Sequence, residues 1–158
     1  MSKKIKLNEE LTVTYPDGFH VMDEEEKKKL NAIGGIGEVI TDPDRHIILS
    51  FGWKKTGGLI SKMFSAENAS KEVEKNYKSA MKPYDYHFGD RFSRTIAGEK
   101  AEGFSFGYIA QEIEMYAESY VLKHKKGFYY IHYYSRTSVK EENAAVLNDI
   151  LDSAVFES

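Results

Sequence analysis

The sequence predicts an α+β domain in which a central antiparallel sheet of about six strands is flanked by helices, an α/β/α sandwich. Two amphipathic segments of helical period, at 66–81 and from Ser138 to Leu151, enclose a run of period-two segments joined by short turns. Aromatic residues make up 13% of the chain, with 11 tyrosines and 9 phenylalanines, and such residues favour strands. The stretch Phe128-Tyr129-Tyr130-Ile131-His132-Tyr133-Tyr134 carries large rings on both parities, so both faces of its sheet need cover.

The elements follow in order. Leu11, Val13 and Tyr15 alternate with Thr12 and Thr14, which predicts a strand over 11–15, and Pro16-Asp17-Gly18 supplies the turn that stops it. Asp23 is placed to cap a short solvated helix over 23–30, whose acids precede its bases as the helix dipole favours. Gly34-Gly35-Ile36-Gly37 ends it, and 38–41 with 45–53 read as a hairpin joined at Asp42-Pro43-Asp44. In the second of these strands Ile47, Leu49, Phe51 and Trp53 share one face, while Ile48, Ser50 and Gly52 share the other; a central position is expected. Residues 54–65 read as a loop. The helix over 66–81 aligns Val73, Tyr77, Ala80 and Met81, and Pro83 closes it. Strands at 92–96, 103–109, 112–122 and 128–135 then form a meander, with Gly127 suited to the turn before the last. Ser138 and Glu141 have capping-box spacing, and Ala144, Leu147, Ile150 and Leu151 make the stripe of the final helix before Ala154-Val155-Phe156 exits.

Composition narrows the function. At 158 residues the chain makes one domain, with its core expected over about 11–156. A domain this long buries roughly 70% of its extended surface, enough to fold without staples. The absence of cysteine excludes thiolate metal sites, iron–sulfur clusters and thiol nucleophiles. A net charge of −3 argues against a nucleic-acid coat. The lysine-bearing start Met1-Ser2-Lys3-Lys4-Ile5-Lys6-Leu7 has no apolar core of a secretory signal, and no window approaches the roughly 20 apolar residues of a membrane span. A cytoplasmic protein is the resulting expectation.

Motifs that carry chemistry resolve into packing and turns. Ser79-Ala80-Met81-Lys82 and Lys55-Thr56-Gly57 match fragments of the serine β-lactamase signature, but in the wrong order and in too small a domain. The glycines at 34–37 precede a strand rather than a helix, so they do not form a phosphate cradle. His20, His46, His87, His124 and His132 are scattered without the i,i+4 spacing of a helical metal site. Asp42-Pro43-Asp44 lacks the frame of a calcium loop, and Asn68-Ala69-Ser70 is a glycosylation sequon that secretion alone would make relevant. No catalytic residue, cofactor or metal is therefore expected.

One constellation has character. In the strand 112–122 one face holds Glu112, Glu114, Tyr116, Glu118 and Tyr120, mixing acid with tyrosine. Tyr130, His132 and Tyr134 share a parity in the next strand, so a binding surface of Tyr116, Tyr120, His132 and Tyr134 forms if register aligns them. Its expected occupant is a protein partner or a second copy of the chain. The alternative is a small-molecule binder or minor hydrolase, with Glu114, Tyr116 and His132 converging in a pocket between sheet and helix.

The opening Leu11-Thr12-Val13-Thr14-Tyr15-Pro16-Asp17-Gly18-Phe19, the strands 104–108 and 127–131, and the ending Ile150-Leu151-Asp152-Ser153-Ala154-Val155-Phe156 together resemble the PsbP-like superfamily, which also holds Mog and DcrB-like proteins. The resemblance covers roughly 11–156 and implies a central antiparallel sheet between helices. It also implies a non-enzymatic binding, assembly or chaperone role, and it transfers no site residue.

Overall fold

The structure, a computed structural model, describes residues 2–30, 37–56, 59 and 63–157. The predicted glycine turn at 34–36 and Gly57 lie outside the described residues. Along the chain run β1 (Lys3–Leu7), β2 (Leu11–Tyr15), β3 (His20–Val21), α1 (Glu24–Lys28), β4 (Glu38–Asp42) and β5 (Ile47–Lys55). There follow α2 (Ala66–Ala80), β6 (His87–Ile96), β7 (Glu99–Ala110), β8 (Ile113–His124), β9 (Gly127–Arg136), α3 (Lys140–Asp152) and β10 (Val155–Phe156). A seven-stranded sheet has the order β3-β4-β5-β9-β8-β7-β6, and a three-stranded sheet has the order β1-β2-β10, with every pairing antiparallel.

The predicted α+β sandwich is thus present, and the parity argument for two covered faces holds. On one face Leu49, Phe51, Tyr120, Ile131 and Tyr133 pack against Leu147, Ile150 and Leu151 of α3 and against Leu7, Leu11 and Val13 of the small sheet. On the other, Phe104, Phe106 and Ala117 pack against Tyr77 of α2, with Val73 and Met81 at the margin. Ile47, Leu49 and Phe51 are buried as their shared parity predicts, and β5 is interior, between β4 and β9.

Four differences have local causes. β1 carries only Ile5 and Leu7 as apolar residues between lysines, but these stand opposite Val13 and Leu11 and complete the small sheet. The Ser138–Glu141 box does not form, because Thr137–Val139 is a 3-10 turn and Val139, without a side-chain bond, occupies the cap. Asp23 does cap α1, and Glu26 returns the bond to the Asp23 backbone. Ala80 is exposed, and α2 leans on the sheet through Val73, Tyr77 and the C-cap Met81. β6 begins at His87 rather than 92, and its pairing with β7 is interrupted between Phe88 and Arg91.

Candidate functional site

Register decides which of the predicted residues meet. β8 and β9 place Ser119 opposite His132, Ala117 opposite Tyr134, Tyr116 opposite Ser135 and Tyr120 opposite Ile131. Because faces alternate along a strand, Tyr116 and Tyr120 lie under α3, and His132 and Tyr134 lie under α2. The four expected surface residues are divided two and two by the sheet, and the pocket expected from Glu114, Tyr116 and His132 fails for the same reason. Glu114 itself is exposed.

In each half these side chains find partners inside the molecule. Under α3, the Tyr116 hydroxyl donates to Glu118 Oε2 at 2.7 Å and the Tyr120 hydroxyl donates to Glu118 Oε1. Burial first, and the Glu118 carboxylate second, hold both phenols well above their ordinary range, so they remain donors. Under α2, Ser119 Oγ lies 2.9 Å from His132 Nδ1, the Tyr77 ring stands edge-on to the imidazole at 5.4 Å, and the Tyr77 and Tyr134 hydroxyls bond each other. Burial pulls His132 down to about 4 and pushes Tyr134 up to about 12, so both are neutral at pH 7. The Ser119–His132 pair has the spacing of a nucleophile and base. Ser119 is 0% and His132 5% exposed, which leaves no approach for a substrate.

A concave surface lies at one end of the main sheet. β5 and β9 run out together there, with Lys54 opposite Phe128 and Lys55 opposite Gly127. Beyond them the Thr56 backbone N–H and hydroxyl both donate to the Lys126 carbonyl, at 2.8 and 2.9 Å. This fixes Lys54-Lys55 beside Lys125-Lys126, around a cleft of about 350 Å³ that Asn8, Glu10, Trp53 and Tyr129 also line. Glu10 accepts from the Tyr129 hydroxyl and lies 3.8 Å from Lys125 Nζ, so its charge is already engaged. A second hollow of about 380 Å³, lined by Glu24, Lys27, Lys28, Gly37 and Glu38, shares Trp53 as its wall. Lys27 engages both acids there, at 3.0 Å from Glu24 and 3.8 Å from Glu38.

Trp53 stands between the two hollows and is 36% exposed. Its ring is pressed against Gly37, where a Cβ would lie 2.7 Å from the indole and 2.2 Å from the Phe51 carbonyl oxygen. Sequence reasoning assigned Trp53 to the apolar face and the lysine pairs to a loop and a turn. The available signal was the two Lys-Lys pairs at the ends of strands, and only the β5–β9 pairing shows that they converge. Among the described residues no three His, Asp or Glu side chains are grouped to hold a metal, and no helix is long and apolar enough to cross a membrane.

No protein-family model and no curated protein sequence matches the chain. Solved structures do. The solution structure of cyanobacterial PsbP (CyanoP) from Synechocystis sp. PCC 6803 superimposes with a TM-score of 0.74 at 12% identity, over 99% of this chain and 92% of that one. LpqN of Mycobacterium tuberculosis, described as involved in cell envelope biogenesis, gives 0.61 at 11% identity, over 100% and 91%. The Saccharomyces cerevisiae Ran-binding protein Mog1p gives 0.61 at 10% identity, over 98% and 94%. Identities this low speak for the fold alone, and on it they agree with the resemblance drawn from the sequence: the chain has the fold shared by PsbP and Mog1p.

Proposed function

We propose that the chain is a non-enzymatic binding or assembly domain that docks a partner protein at the Trp53 end of its main sheet. The observation that carries this is the combination of sealed faces and an open end. Helices and the small sheet pack on both faces of the main sheet, Tyr116, Tyr120, His132 and Tyr134 all bond partners inside the molecule, and a part-exposed indole packed against Gly37 between two hollows is left facing water. Aromatic anchors of this kind dominate binding energy at protein interfaces, because a rigid ring loses little entropy when covered. That Mog1p, with the same fold, is a Ran-binding protein supports a protein as the partner.

The test is capture of a single stoichiometric partner from the source cell, repeated with Trp53→Ala. Retention by the parent chain and loss of at least about tenfold in the variant, with the melting temperature lowered by no more than about 4 °C, supports the reading. Equal capture by both chains would move the interface elsewhere on the molecule.

A further inference from the structure

The lysines around Trp53 specify the partner's chemistry, an inference that rests on the protein-binding reading above. The chain as a whole is acidic, at −3, yet its sheet end presents Lys54, Lys55, Lys125 and Lys126 around a single carboxylate, Glu10. That carboxylate is occupied by the Tyr129 hydroxyl and faces Lys125. Lys54, Lys55 and Lys126 are exposed and make no ion pair with any described residue. The β5–β9 ladder and the Thr56–Lys126 bonds fix their backbone positions at one end of the sheet, which gathers positive charge there. The part-exposed Trp53 lines the cleft beside them, with the buried Phe128 and Tyr129 beneath. Because Trp53 also walls the second hollow, an occupant lying across the indole can reach both.

We propose that this end of the sheet takes a short acidic segment of a partner chain, its carboxylates answered by Lys54, Lys55 and Lys126 and a neighbouring apolar side chain laid on Trp53. A cleft lined by both lysines and an indole selects for that pairing of charge and ring contact, and it repels basic segments.

The experiment selects a library of random dodecapeptides on the immobilised full chain and measures the survivors by fluorescence anisotropy. Enriched peptides are expected to combine Asp or Glu with an aromatic or large aliphatic residue, and to shift the emission of the chain's one tryptophan. Their affinity should fall about tenfold or more in Lys54→Glu/Lys55→Glu/Lys126→Glu and on raising salt from about 0.05 to 0.5 M. The three lysines are exposed, and an unchanged melting curve for the variant excludes misfolding as the cause. Enrichment of neutral or basic peptides, or of acidic ones that bind the triple variant equally well, overturns the acidic-segment inference and leaves protein binding standing. Retention of no peptide overturns both; a tryptophan response to millimolar inorganic phosphate or citrate through the same lysines would then assign the cleft to small anions.

Discussion

The His132 cluster and the Trp53 end lie on the same strand pair, β5 and β9, and they treat polarity in opposite ways. Beneath α2 the residues with the most chemical character, a serine, a histidine and two tyrosines, bond in two pairs, with all but Tyr134 buried. At the sheet end ordinary lysines stand in solvent with no described acid to answer three of them. Residue type is thus a poor guide to function here, and unsatisfied chemistry at an accessible place is a better one.

Three measurements can break or sharpen this contrast. The largest effect belongs to Tyr77→Ala, which empties the centre of the α2 layer between Phe104, Phe106 and His132. It should cost about 3–5 kcal/mol in denaturant unfolding, whereas Trp53→Ala should cost about 1 kcal/mol or less and act on binding instead. Equal losses at the two positions would make Trp53 a core residue.

Acid comes next. His132 is held down to about 4 by burial, below its ordinary 6.5, so the unfolded chain takes up a proton that the folded chain refuses. Stability contributed by the neutral imidazole is complete above about pH 6.5 and falls as pH drops towards 4, by roughly 3 kcal/mol in all. Unfolding free energies across that window should show the decline, and His132→Leu should flatten it. A decline that persists in the variant assigns the proton uptake to other groups.

The smallest of the three effects is that of Gly37→Ala. A methyl 2.2 Å from the Phe51 carbonyl oxygen and 2.7 Å from the indole forces a shift, costing about 1–3 kcal/mol and moving the Trp53 emission maximum. A variant with the parent's emission would show that the indole is not held by this contact.

The fold was largely legible because it rests on periodicity. Rings on both parities of 128–134 demanded two covered faces, and Val73 with Tyr77 and Leu147 with Ile150 and Leu151 supplied the two covers. β1 escaped notice because Lys3-Lys4-Ile5-Lys6-Leu7 buries its apolar pair only through β2, a tertiary partner outside any local pattern. The site escaped for a related reason. Parity sorts residues within one strand, but register between strands sets which parities coincide, and Ser119 opposite His132 put the predicted tyrosines on opposite sides. Lys54 and Lys126 are far apart in sequence and converge only through the β5–β9 pairing.

The interruption between Phe88 and Arg91 bears on how the molecule behaves among its own copies. β6 is one of the two edge strands of the large sheet and most of it is exposed, the arrangement from which edge-to-edge aggregation starts. The irregularity breaks the repeat of backbone donors and acceptors, and Asp90, Arg91 and Arg94 place charge along what remains. A second chain that begins to pair at Ile96 loses registry before it reaches His87. The sheet therefore ends at β6, and crowding at high concentration should favour separate molecules over fibrils.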